Sequence, residues 1–196
     1  MPRQAHLRRL LEDFVPANAS EQRHRARVLQ LIEQSEQPFS RAQYAPGHVT
    51  ASAFVTNPEQ SELLLILHGK LQLWLQPGGH VDDDDSDVVA SARREVLEEV
   101  GISELELLSP GVFDVDVHEI PARREQPAHQ HFDVRFLFGT PAREHQAGSD
   151  ASAARWVPIA ELINPRAGSD YPSDESVMRA VRKLTGAHTA EARAWD

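Results

Sequence analysis

Cysteine is absent from the 196 residues. Its absence excludes disulfides, thiolate nucleophiles and cysteine-ligated zinc, and favours a reducing compartment. Long apolar runs are missing too: the longest wholly aliphatic stretch is LLLIL, 63–67, far short of the roughly 20 residues that span a bilayer. The basic opening, MPRQAHLRRLLEDFV, meets Glu12 and Asp13 before any apolar stretch long enough for a signal peptide. The expected location is therefore the cytoplasm, with no membrane partner. Positive charge is also in deficit. Twenty Lys and Arg stand against 30 Asp and Glu, a net charge of -10, which argues against duplex nucleic acid, because affinity for phosphate backbones comes from clustered cations. A small phosphorylated ligand stays open, since divalent cations held by acidic groups reverse the local sign of charge.

What is present is an ordinary folded composition, 40% hydrophobic and 26% charged, of a length that suits one domain. Residues 6–15 and 20–37 read as helices, the second with Ser20 as its cap. Residues 1–45 form a helical extension expected to pack on the main body or on a second subunit, which leaves a homodimer open. The body is expected over 46–186, followed by a mobile tail, 187–196. HVTASAFVT at 48–56 and the aliphatic run at 62–67 read as adjacent strands, and LQLWLQ alternates before a Pro77-Gly78-Gly79 turn. Alternation places Trp74 in packing rather than stacked on a base. Residues 105–118, 131–138 and 154–158 read as further strands, IAELI as a helical turn, and a helix capped by Ser173 ends at Gly186.

One helix carries the chemistry. It runs from a cap at Ser86 to Val100 and stops at Gly101. At 100° per residue Glu95, Glu98 and Glu99 share about a third of its circumference, beside an apolar stripe of Val89, Ala92, Val96 and Val100. Like charges three or four residues apart repel. Arg94, one turn before Glu98, compensates part of this, but one arginine does not neutralise three glutamates. Converging hard oxygens are the ligands preferred by Mg²⁺ or Mn²⁺, which complete their shell with water and phosphate oxygens. The Gly78-Gly79 pair suits the same purpose: a backbone free of side chains lets a phosphate and its metal approach.

These residues resemble the signature of the Nudix hydrolases, G-x5-E-x7-R-E-U-x-E-E-x-G-U with U aliphatic. Arg94-Glu95-Val96-x-Glu98-Glu99-x-Gly101-Ile102 matches its second half at every position. The first half departs: counting from Gly79 puts Asp85 at the glutamate position, with eight residues rather than seven before Arg94. The resemblance covers roughly residues 46 to 186 and implies an α/β fold, an α/β/α sandwich around a mixed sheet. It also implies hydrolysis of a nucleoside diphosphate linked to another moiety. By position it implies metal-binding and catalytic roles for Glu95, Glu98 and Glu99, an orienting role for Arg94 and a metal-contacting carbonyl at Gly79. Many relatives draw an acid from the loop before the late Trp strand; here Glu144 and Asp150 are the candidates, and the general base stays open.

Weaker signals surround this core. His80 follows the glycine pair and is a candidate phosphate contact. His129, His131 and Asp133 alternate on one strand face and, with His118, offer a zinc-type set; a polar cleft wall or substrate contacts, His131 among them, are the alternatives. Arg123 and Arg124 are candidates to grip a distal phosphate. DDDDSD lacks the glycine and glutamate of a helix-loop-helix calcium loop and reads as solvated. Two rivals to a hydrolase stand beside it: a prenyl-diphosphate isomerase, whose branch uses a cysteine this chain lacks, and a non-catalytic nucleotide or nucleotide-sugar sensor.

Overall fold

The computed structural model describes residues 3–123, 126–148, 151–165 and 171–186. Its centre is β1 (Gly47–Thr56), buried along its whole length. Such a strand must be paired on both edges and covered on both faces, and small and β-branched residues allow it. β2 (Glu62–His68) and β4 (Gly78–His80) run antiparallel to β1, whereas β7 (His129–Gly139) runs parallel to it from Gly47↔Gln130 to Thr56↔Gly139. β3 (Trp74–Leu75) and β8 (Ala151–Pro158) extend the sheet beyond β2, and β5 (Glu106–Leu107) and β6 (Asp114–Ile120) pair with β7. The result, among the described residues, is an eight-stranded mixed sheet.

Period-two alternation divides the side chains between two cores. Val49, Ala51, Ala53 and Val55 of β1 and Phe132, Val134, Phe136 and Phe138 of β7 face α1 (Arg3–Asp13), α2 (Ala19–Gln34) and α3 (Val88–Val100). Phe54, Leu63, Leu65 and Leu137 face α4 (Ile159–Ile163) and α5 (Glu175–Leu184). The expected helix-sheet-helix arrangement is what the chain adopts. Leu7, Leu11, Val28, Leu31 and Ile32 join the first core, so the N-terminal helices pack on the body. No described helix is long and apolar enough to cross a membrane.

Several local expectations are corrected. The cap of α3 is Asp87, whose carboxylate accepts from the Val89 and Ala90 amides at 2.9 Å; Ser86 is not the cap. Asn18 and Asp174 likewise cap α2 and α5 in place of Ser20 and Ser173. Carboxylates and amides accept as well as hydroxyls do, and adjacent candidates are decided by where the chain turns. Gly78 and Gly79 belong to strand β4, not to a turn. The stretch 105–118 splits into β5 and β6 around Ser109-Pro110-Gly111, where proline removes a ladder donor. Only Trp74–Leu75 of LQLWLQ pairs as strand, and Trp74 packs edge-on against Tyr171, ring centroids 5.6 Å apart.

Candidate active site

α3 is held by burial of Val88, Ala92, Val96 and Val100, each valine worth about 1.5–3 kcal/mol when fully removed from water. Its C-terminal end is closed by Gly101 at φ 74°, a left-handed conformation glycine adopts without a Cβ penalty. Residues 141–148 pass over that end, where the Gln146 and Gly148 amides donate to the Val100 and Glu99 carbonyls at 3.0 and 2.7 Å. With its core stripe fixed, the helix presents its acidic stripe to β4.

Gly79 pairs with Ala51, so its missing side chain would point at α3. A Cβ there would meet the Glu95 Oε1 at 2.7 Å. The adjacent Gly78 amide donates to Glu99 Oε2 at 2.9 Å. Glu95 therefore closes on Gly79 where a Cβ would displace it, and Glu99 closes on the Gly78 backbone amide.

Arg94 is the hub. Its guanidinium donates to Glu95 Oε1 and Glu98 Oε2 at 3.0 Å each, to Asp85 Oδ1 and Oδ2 at 3.1 Å, and to the His80 carbonyl at 2.8 Å. Burial works against this charge, and the surrounding carboxylates outweigh it, holding the guanidinium above its ordinary range. The longer loop thus still delivers a carboxylate to Arg94. Burial likewise opposes the Asp85 charge, but the Arg94 hydrogen bond prevails and holds that carboxyl below the usual range. Asp85 and Asp87 are accordingly not part of a merely solvated run, although Asp83 is fully exposed.

Glu95 and Glu98 differ in environment. The Glu95 side chain is 13% exposed and that of Glu98 55%. Burial pushes the Glu95 carboxyl up to about 7 against the opposing Arg94 charge. A carboxyl titrating near neutrality is suited to holding or moving a proton.

Other sequence candidates fall elsewhere. Arg123 is exposed and pairs through its backbone with Gln126, outside the glutamate cluster. Arg124 and Asp150 lie outside the described residues, as does the tail, 187–196. Glu144 is exposed in the segment crossing the end of α3. Among the described residues, the zinc-type set of His118, His129, His131 and Asp133 does not bring its ligand atoms together. Asp133 is taken by the Thr50 and Ser52 hydroxyls at 3.1 and 2.8 Å and by Arg135 at 2.8 Å. His118 and His129 turn Nδ1 to Asp116 and to the Pro127 carbonyl. His131 meets His48 and His80 as well as His118 and His129, ring centroids 4.9–5.6 Å apart. His48 has no role in the sequence reading. Its place on the face of Thr50 and Ser52 was legible from alternation, but its partner strand was not.

The NUDIX domain family model matches residues 46–181. The phosphatase NudJ of Escherichia coli strain K12 is 34% identical over 124 residues, covering 59% of this chain and 71% of that protein. A NUDIX-family hydrolase from Clostridium perfringens superposes with a TM-score of 0.52 at 20% identity, over 71% of this chain and 97% of that one. The NUDIX domain of Shewanella oneidensis NrtR, complexed with ADP ribose, gives 0.52 at 17% identity, over 81% and 96%. The family model spans most of the sequence and includes the Gly78-Gly79 strand and the acidic helix, so this chain belongs to the Nudix hydrolases, enzymes that act on phosphoanhydride bonds.

Proposed function

We propose that the protein is a Mg²⁺-dependent pyrophosphohydrolase cleaving the diphosphate bond of a small nucleoside diphosphate linked to another moiety, with Mn²⁺ as an alternative ion. The observation that carries this reading is the closure of Glu95 and Glu99 on the Gly78-Gly79 strand, with Glu98 joined to Glu95 through Arg94. The donor set fits a hard divalent ion: carboxylate oxygens and a backbone carbonyl, beside a glycine whose Cβ would fill the space. Glu95, Glu98, Glu99 and the Gly79 carbonyl are the residues that would hold it. When bound, such an ion neutralises diphosphate charge and acidifies water.

The chain's own residues supply the rest. Arg94 fixes Glu95 and Glu98 relative to each other and anchors the loop through Asp85. Glu95 Oε2, the oxygen not engaged by Arg94, is the candidate base. Gly78 and Gly79 leave the strand bare so that a phosphate can approach, and His80 and His131 line the wall beside it. The fold neighbour that holds ADP ribose supports the substrate class, since ADP ribose is a nucleoside diphosphate linked to a sugar.

The test is a panel of nucleoside diphosphate sugars, dinucleotides and nucleoside triphosphates, each with and without Mg²⁺. Release of a nucleoside monophosphate only with metal is the expected result. Saturable binding without product would replace the hydrolase with the sensor. A second expectation concerns Gly79→Ala. The new methyl meets the far end of the Glu95 side chain and no backbone atom among its nearest neighbours, so the fold should hold to within about 1 kcal/mol, while displacement of the Glu95 carboxylate from Arg94 lowers turnover by about 10²-fold. Thermal unfolding and initial rates, measured on the same sample, check both halves.

A further inference from the structure

Three strands bring three imidazoles together beside the acidic site. His48 lies on the polar face of β1, and the parallel register sets it opposite His131 of β7. The antiparallel pairing of β1 with β4 sets His80 opposite Thr50, one same-face step from His48. Ring centroids are 5.1 Å apart for His48 and His80, 4.9 Å for His48 and His131, and 5.3 Å for His80 and His131. One ring nitrogen of each lies within 4.8 Å of the other two. Backbone pairing, rather than a chance choice of rotamers, fixes this convergence.

His48 shows what the cluster lacks. It is 1% exposed, and its Nδ1 lies 3.1 Å from the Gln43 carbonyl. A carbonyl only accepts, so Nδ1 carries the proton and Nε2 presents a lone pair. That Nε2 is buried without a hydrogen-bond partner, a condition that costs about 1–3 kcal/mol. An imidazole with one nitrogen donating to a backbone carbonyl and the other bare is the arrangement of a metal-ligating histidine. The ring nitrogens of His80 and His131 make no hydrogen bond among the described residues. His129 stacks on His48 at 5.2 Å and His118 stands edge-on to His131 at 5.6 Å, but among the described residues the ligand atoms that converge are those of His48, His80 and His131.

We propose that His48, His80 and His131 form a site for one transition-metal ion of the Zn²⁺ class, distinct from the glutamate cluster, with its remaining position open to water or an anionic oxygen. Imidazole nitrogens suit zinc, copper, nickel and iron, whereas carboxylate and carbonyl oxygens suit magnesium and manganese. The two donor sets, joined at the Gly79-His80 peptide, thus select different ions. Tetrahedral Zn–N bonds of about 2.0–2.1 Å put nitrogens about 3.4 Å apart, so the rings close by at most about 1.4 Å on binding. The buried His48 nitrogen gains its missing partner in the same step.

The experiment uses the full chain in excess Mg²⁺, titrated with Zn²⁺ against a chromophoric chelator. One equivalent should bind. X-ray absorption of the loaded wild type should show nitrogen neighbours at about 2.0–2.1 Å with imidazole scattering. His131→Ala and His48→Gln should each weaken Zn²⁺ binding by at least about 100-fold, and Glu98→Gln should leave it unchanged. Circular dichroism reports whether each variant is folded. The wild-type absorption spectrum decides the ligand type even if His48→Gln does not fold. Failure to retain Zn²⁺ in excess Mg²⁺, equal loss in Glu98→Gln and His131→Ala, or an oxygen-only shell would overturn the proposal. None of these outcomes depends on whether the protein hydrolyses a nucleotide.

Discussion

Glu99→Gln lowers turnover by roughly 10²–10⁴-fold in the proposed hydrolase, about 3–5 kcal/mol at the transition state, while the fold survives. The separation follows from the two tasks of this side chain. Structurally, Glu99 Oε2 accepts the Gly78 amide at 2.9 Å, and a glutamine carbonyl oxygen accepts the same bond. Electrostatically, the variant loses one of three negative charges that would hold a divalent ion against a phosphoanhydride. Glu98→Gln makes the informative comparison, because Glu98 is anchored by Arg94 at 3.0 Å instead of by the glycine strand. The checks are kcat on the best substrate of the panel, Mg²⁺ binding by calorimetry and a thermal midpoint close to that of the parent. Parental rates in Glu99→Gln would remove that residue from the site and leave Glu95 and Glu98 to carry the chemistry.

The acidic helix was legible in the sequence because everything that defines it is local. The spacing of Val96 and Val100 sets its buried face, the spacing of Glu95, Glu98 and Glu99 its acidic face, and Gly101 its end. Even there, Asp87 rather than Ser86 supplies the cap, since neighbouring candidates differ only in backbone geometry. The Gly78-Gly79 segment reads locally as a turn and becomes a strand through pairing with Thr50, Ala51 and Ser52, residues far away in the chain. The same limit hid the histidine triad. Alternation puts His131 and Asp133 on one face of β7, but only the parallel register with β1 decides that His48 faces His131 and that Thr50 and Ser52 claim Asp133. Faces can be read from one strand, whereas partners require the pairing of two.

The other large effect expected is on stability, and it lies at Arg135. Its guanidinium, 2% exposed, donates to Asp133 at 2.8 Å and Asp114 at 3.1 Å, with Asp116 at 3.6 Å and the Ser176 hydroxyl at 2.9 Å. Arg179 approaches Asp114 and Asp116 at 2.9 and 3.2 Å. Arg135→Met keeps most of the volume and removes a buried cation from among three buried carboxylates, which costs about 3–5 kcal/mol, a large part of the about 5–15 kcal/mol that holds a domain folded. Its pH dependence identifies the cause. Burial alone would raise the Asp116 carboxyl, but the His118 hydrogen bond and the Arg135 and Arg179 charges hold it well below the usual range. A carboxylate depressed in the folded state contributes stability above its unfolded pKa of about 3.9 and loses it as pH falls through the folded value. In Arg135→Met the remaining carboxylates take up protons more readily, so acid relieves their repulsion. Urea unfolding should therefore show the largest gap between parent and variant near pH 7, narrowing toward pH 4. A gap that stays constant with pH would assign the loss to packing against Phe54, whose ring centroid lies 6.0 Å from the guanidinium carbon, instead of to charge.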